Sequence, residues 1–117
     1  MKSSWTLEEG LQVTRYLERL FKPFGFHVAL GGGVMLRGRS SKDLDVIVYP
    51  DKVTPHFDAS LHWAIVADAL DEEDWVQFRD AEQMIKNWRS IGSDDEKHVE
   101  VWMDPKGRRV DLIVMGL

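Results

Sequence analysis

The run Asp43-Leu44-Asp45-Val46-Ile47-Val48, set shortly after Gly31-Gly32-Gly33, constrains this chain more than any other segment. Its β-branched residues favour a strand, and a strand alternates its faces. Asp43 and Asp45 therefore point one way while Leu44, Val46 and Val48 point the other. Two carboxylates side by side on a sheet repel each other. That is tolerable at a strand's solvent end, or where a cation sits between them. A third acid has a similar setting near the C-terminus, in Val110-Asp111-Leu112-Ile113-Val114. Two strands presenting three acids on one face predict a site for a hard divalent metal.

The remaining segments supply a sheet and helices around that site. Thr6 followed by Glu9 reads as a capping box, opening an amphipathic helix through about Phe21 with Leu7, Leu11, Tyr16, Leu17 and Leu20 along one face. Pro23 and Gly25 end it. Phe26 to Leu30 reads as a short strand, the glycines turn the chain, and Val34-Met35-Leu36 begins a short helix. Asp43 to Tyr49 is a strand closed by Pro50, and Leu61 to Leu70 reads as a helix. A further helix is predicted from about Asp74 to Ser90, with Trp75, Phe78, Ile85 and Trp88 as core contacts and Asp71-Glu72-Glu73-Asp74 as its acidic cap. Gly92 to Glu96 is a polar loop. Val99, Val101 and Met103 alternate with polar neighbours, Asp104-Pro105-Lys106-Gly107 turns, and Val110 to Met115 returns, which is a hairpin.

Composition removes several classes of chemistry. There is no cysteine, so disulfides, thiolate zinc sites and cysteine nucleophiles are excluded. His27, His56, His62 and His98 lack metal-ligand spacing. No apolar run approaches the roughly 18 residues of a membrane helix, and Met1-Lys2-Ser3-Ser4-Trp5 leads into no signal-peptide core, so the expectation is a cytoplasmic protein. A net charge of −5 weighs against a general nucleic-acid binder. Basic residues do stand beside the acids: Arg37, Arg39 and Lys42, then Lys106, Arg108 and Arg109. Acidic overall with basic groups at the site suits a nucleotide pocket. The glycines fit it too, because they permit unusual torsions and let bare N–H groups approach phosphate oxygens.

In order and spacing, Gly31-Gly32, Arg39-Ser40-Ser41-Lys42-Asp43-Leu44-Asp45-Val46 and Val110-Asp111-Leu112 resemble the nucleotidyltransferase superfamily that includes DNA polymerase beta, in particular its minimal single-domain members. The family pattern is a strand, a Gly-Gly or Gly-Ser turn, a short helix, Asp-hydrophobic-Asp on the next strand, and a later Asp. The resemblance implies an α+β fold, a small mixed β-sheet flanked by helices, forming one domain over residues 1–117. It implies that Asp43 and Asp45 hold two magnesium ions bridging the triphosphate of a nucleotide, with ATP expected. Asp111 would bind the metal nearer the acceptor hydroxyl and help remove its proton. Gly31, Gly32, Arg39 and Ser41 are the implied nucleotide-binding residues.

Three departures qualify what the resemblance implies. The turn's second residue is Gly32 where Ser is commoner, which removes a hydroxyl that Ser40 or Ser41 would replace. The chain stops soon after Asp111, so acceptor recognition is expected from the segment between Asp58 and Ser90 or from a partner. Position 42 is Lys, a residue that in an inactive relative could pair with the acids in place of metal. The expected reaction moves a nucleoside monophosphate onto a hydroxyl of a helical partner protein, or of a small molecule, ahead of RNA ends. The alternative is an inactive, antitoxin-like binding module that neutralises its partner by contact.

Overall fold

The computed structural model describes residues 5–32, 34, 38–40, 43–51, 58–78 and 97–115. Within them Thr6 caps helix α1 (Leu7–Phe21) as the sequence predicts: its hydroxyl accepts the Glu9 N–H while Glu9 accepts the Thr6 N–H. A short strand β1 (Trp5–Thr6) precedes α1, and a 3₁₀ turn (Lys22–Phe24) follows it. Gly25, at φ 90, is the left-handed exit that lets β2 (Phe26–Gly31) begin. The order continues through β3 (Arg39–Ser40), β4 (Leu44–Pro50), α2 (Ala59–Glu72), β5 (Val76–Gln77), β6 (Lys97–Met103) and β7 (Arg109–Met115).

The main sheet runs β2-β4-β7-β6-β5, and β1 pairs separately with β3. β4 and β7 are parallel neighbours, whereas the other pairs are antiparallel. The fold is thus α+β with a five-stranded mixed sheet. Leu44, Val46 and Val48 of β4 meet Val110, Leu112 and Val114 of β7 in register, and all six are fully buried. Leu17 and Phe21 of α1 and Trp63, Val66 and Leu70 of α2 join them in one core. Both helices therefore cover one face of the sheet, and the acids lie on the other. No described helix is long and apolar enough to cross a membrane.

Two local readings need correction. Leu7 and Leu11, expected on the buried stripe, are exposed. The inward face of α1 is centred on Gly10, Leu17 and Phe21, and Leu11 lies about 100° round from Gly10. A Cβ on Gly10 would come within 3.0 Å of Leu44 Cδ1 and 3.1 Å of Val34 Cγ1, so a glycine sets the closest approach of helix to sheet. A hydrophobic pattern gives that residue no weight. Likewise, the acidic link does not cap a helix beginning at Asp74. Asp71 and Glu72 finish α2, Trp75 N–H donates to Leu70 O, and Asp74 takes a left-handed φ of 66, which aspartate tolerates. Val76 and Gln77 then pair with Met103 and Trp102 at the sheet edge. Trp75 is buried as expected, but Phe78 is exposed. Ile85, Trp88 and the rest of the predicted helix, the loop from Gly92 to Glu96, and Met35 and Leu36 lie outside the described residues.

Glu100 is placed by its register with Leu112 on the helix-covered face. Its Oε1 accepts Trp102 Nε1–H at 2.9 Å, and its Oε2 accepts Trp63 Nε1–H at 3.0 Å and lies 2.8 Å from His98 Nε2. Burial works to raise this carboxyl's pKa, but the bonds from His98, Trp63 and Trp102 outweigh it and hold the group below the usual range. Glu100→Gln turns an amide NH₂ toward an indole N–H. It is expected to lower the unfolding free energy by about 2 kcal/mol, read from urea midpoints.

At the opposite end of β2 from the glycine turn, His27 is held between carboxylates. Its Nδ1 lies 2.7 Å from Glu18 Oε2 and its Nε2 2.8 Å from Asp51 Oδ1. The other Glu18 oxygen accepts the Val28 N–H at 2.9 Å, occupying a backbone donor of this edge strand. The bonds to Glu18 and then to Asp51 raise the His27 pKa above 6.5. A raised folded pKa stabilises fully below the unfolded value and loses that contribution as pH climbs through the folded one. The urea midpoint is therefore expected to decline as the pH rises from the unfolded histidine's 6.5 through the raised folded value, and His27→Gln to flatten that decline.

Candidate metal centre

Asp45 and Asp111 stand directly opposite each other across the parallel β4–β7 pair, so their side chains leave the sheet side by side. Asp43, just before β4, shares their face by the strand's two-residue period. One carboxylate oxygen from each of Asp43, Asp45 and Asp111 lies within 4.8 Å of the others. The alternation read from the sequence and the register seen in the sheet thus converge on one cluster. Asp111 is buried and the other two are partly exposed, which leaves the cluster open toward the Asp43 side.

Burial and the crowding of like charge both show in the proton affinities of Asp45 and Asp43. Burial first, then the charges of Asp43 and Asp111, push the Asp45 pKa up from 3.8 to about 6. Asp43 is raised as well, by burial and by the neighbouring Asp111 carboxylate, with Arg109 pulling the other way. The countercharge is Arg109, two residues before Asp111 and on the same face of β7. Its Nε and Nη2 donate to the two Asp111 oxygens at 2.7 and 2.9 Å, and Nη2 lies 3.6 Å from Asp43 Oδ2. These bonds to Asp111 raise the Arg109 pKa further. Sequence reading noted Arg109 among the basic residues near the acids without a role. The spacing Arg-x-Asp on a strand was the available signal.

The glycine turn closes the other side. Gly31 pairs with Asp45 across β2 and β4. Gly32 has φ +64, and a Cβ there would fall 2.0 Å from Asp45 Oδ2. The backbone at Gly32 is therefore packed directly on the carboxylate. Of the other residues expected to bind nucleotide, Arg39 lies in β3 with its backbone opposite Thr6, and Ser41 lies outside the described residues, as do Lys42 and Arg37.

No protein-family model matches this chain, and no curated protein matches it. Among solved structures, polymerase beta of Leishmania infantum in a ternary gap complex aligns with a TM-score of 0.62 over 95% of this chain, at 14% identity. The fold is polymerase beta-like. The aligned region is 38% of that polymerase, so this chain corresponds to well under half its length. The acids sit on the face of this sheet away from α1 and α2, at the end of β2 where the glycine turn begins.

Three hard oxygen donors carrying more negative charge than one guanidinium neutralises form a donor set that fits magnesium in chemistry and charge.

Proposed function

We propose that this protein is a metal-dependent nucleotidyltransferase that transfers a nucleoside monophosphate from a nucleoside triphosphate to a hydroxyl of a protein or small-molecule acceptor. The observation that carries this reading is the convergence of Asp43, Asp45 and Asp111 on a polymerase beta-like sheet. Asp43 and Asp45 would hold the cations together with the triphosphate, and Asp111 would complete the cation site next to the acceptor. Magnesium bound there supplies charge neutralisation on the phosphates and acidifies the acceptor hydroxyl.

The chain's own residues then do the rest. An Asp111 oxygen receives the hydroxyl proton. The acceptor oxygen bonds to the α-phosphorus, the bond to the bridging oxygen of the β-phosphate breaks, and pyrophosphate leaves. The Gly31-Gly32 backbone, which glycine lets lie close against Asp45, would offer its N–H groups to phosphate oxygens beside the acids. Arg39 and Ser41 are the further nucleotide contacts, with ATP the first nucleotide to test. The net charge of −5 places a protein or small-molecule hydroxyl ahead of nucleic acid as acceptor, and a helical partner protein is the leading candidate.

Incubation with α-phosphate-labelled triphosphates, magnesium and a lysate of the source cell tests the activity. Label on a discrete protein band or metabolite supports it and names the acceptor class. A second reading draws on Arg109, whose ion pairs already satisfy Asp111 and reach Asp43 as an internal cation would. In that reading the protein is a catalytically silent binding module. Calorimetric titration of magnesium–ATP into the parent and Asp43→Asn separates the two: a large loss of affinity in the variant favours the enzyme, equal affinity the module.

A further inference from the structure

Trp5 is fully buried although it lies at the very start of the described chain, and it touches both approaches to the acidic cluster. On one side its backbone pairs with Ser40, Thr6 pairs with Arg39, and Leu7 N–H donates to Gly38 O at 2.9 Å. That ladder holds Arg39 and Ser40, and Asp43 follows Ser40 by three residues. On the other side the Trp5 indole Nε1–H donates to the Arg109 carbonyl at 3.1 Å, two residues before Asp111. The Arg108 guanidinium stacks 3.7 Å above the indole ring, and its Nη1 donates to Glu9 at 2.8 Å. Glu9 is the acid of the α1 capping box, so the contact ties the helix start to the same point.

The two-stranded ladder meets the first residue of β7 at Trp5, the ladder through its backbone and β7 through its indole, and Arg108 links the same indole to the helix cap. An indole stacked on one side and hydrogen-bonded at its edge has little freedom to shift. We propose that Trp5 is the positioning residue of the carboxylate cluster, fixing the Arg109 backbone against the strand Arg39–Ser40 so that the Arg109 guanidinium is aimed at Asp111 and Asp43. The cation-binding part of this inference rests on the metal-site reading above. The part concerning Arg109 does not.

The test uses Trp5→Phe, which keeps an aromatic ring beside Arg108 and deletes the pyrrole half of the indole with its donor to the Arg109 carbonyl, the lost packing being what the control below measures. Val66→Ala, on the core face of α2, serves as a control destabilised through packing on the other side of the sheet from the acids. Two readouts are taken: hydrogen exchange of the Arg109 Nε–H by heteronuclear NMR, and Mn²⁺ binding by electron paramagnetic resonance. Trp5→Phe is expected to speed Nε–H exchange and to weaken Mn²⁺ binding about tenfold, while Val66→Ala moves neither. Parent-like Nε–H exchange in Trp5→Phe, or an equal acceleration in Val66→Ala, overturns the proposal. A parent that binds no Mn²⁺ sinks the metal-site reading instead, and the exchange measurement still decides the role of Trp5.

Discussion

Asp111→Asn is expected to lower transfer of the α-phosphoryl label by about a thousandfold or more while leaving the protein folded. The variant keeps the side chain's shape between β4 and β7 and removes its charge. Three consequences follow from the geometry. The cluster loses one of the donors that lie within 4.8 Å of each other, and the acceptor hydroxyl loses its proton acceptor. Arg109 loses the bidentate partner it holds at 2.7 and 2.9 Å and is left facing Asp43 and a neutral amide. The fold is spared for a separate reason: removing one of three crowded negative charges relieves repulsion, which offsets part of the lost ion pair. Labelled-nucleotide transfer and urea unfolding on the same preparation check both halves. Transfer within tenfold of the parent in a folded variant would refute the role given to Asp111.

The faces of the acids were legible in the sequence because a strand's period of two is rigid: Asp43 and Asp45 had to share a side once Leu44, Val46 and Val48 were buried. Their union with Asp111 was harder to read. It depends on β7 lying beside β4, in parallel, with a register that sets Asp45 against Asp111 and no other residue. Local sequence carries no such register; the similar apolar setting of Asp111 pointed to a shared face, and the resemblance to a known pattern added the order of the three acids. Helix α1 shows a different limit. Its capping box was plain, yet its inward face turned on Gly10, which contributes no hydrophobicity and matters through the room it leaves. The ending of α2 was misread because acids favour a helix N-terminus, whereas here Asp71 and Glu72 finish α2 against that preference and Asp74 turns left-handed. Trp5 was beyond reach altogether. Its decisive bond is to a carbonyl 104 positions along the chain, and nothing near a lone aromatic announces such a contact.

Gly32→Ala is expected to disable the centre without touching any charged residue. At φ +64 an alanine is strained by about 1 kcal/mol, which the domain can absorb. The added methyl carbon is the larger problem. It would stand 2.0 Å from Asp45 Oδ2, 2.7 Å from Asp45 Cγ and 2.9 Å from Asp45 Cβ, so rotating the carboxyl end alone does not clear it. The whole Asp45 side chain must swing away, or the turn must pull back from β4, breaking the Gly31–Asp45 pairing. Either movement takes Asp45 out of the group of donors that lie together now. Divalent-cation affinity should then drop by about a hundredfold, and label transfer with it. The unfolding free energy should fall by no more than about 2 kcal/mol. Charge provides the internal control. Asp45→Asn would remove a ligand and relieve the burial of charge and the crowding that together lift Asp45 to about 6, whereas Gly32→Ala removes the ligand's position and leaves its charge to repel Asp43 from elsewhere. The two variants should therefore match in lost metal affinity and differ in stability, with the asparagine variant the more stable. A Gly32→Ala protein that binds cations like the parent would mean that the turn does not define the site.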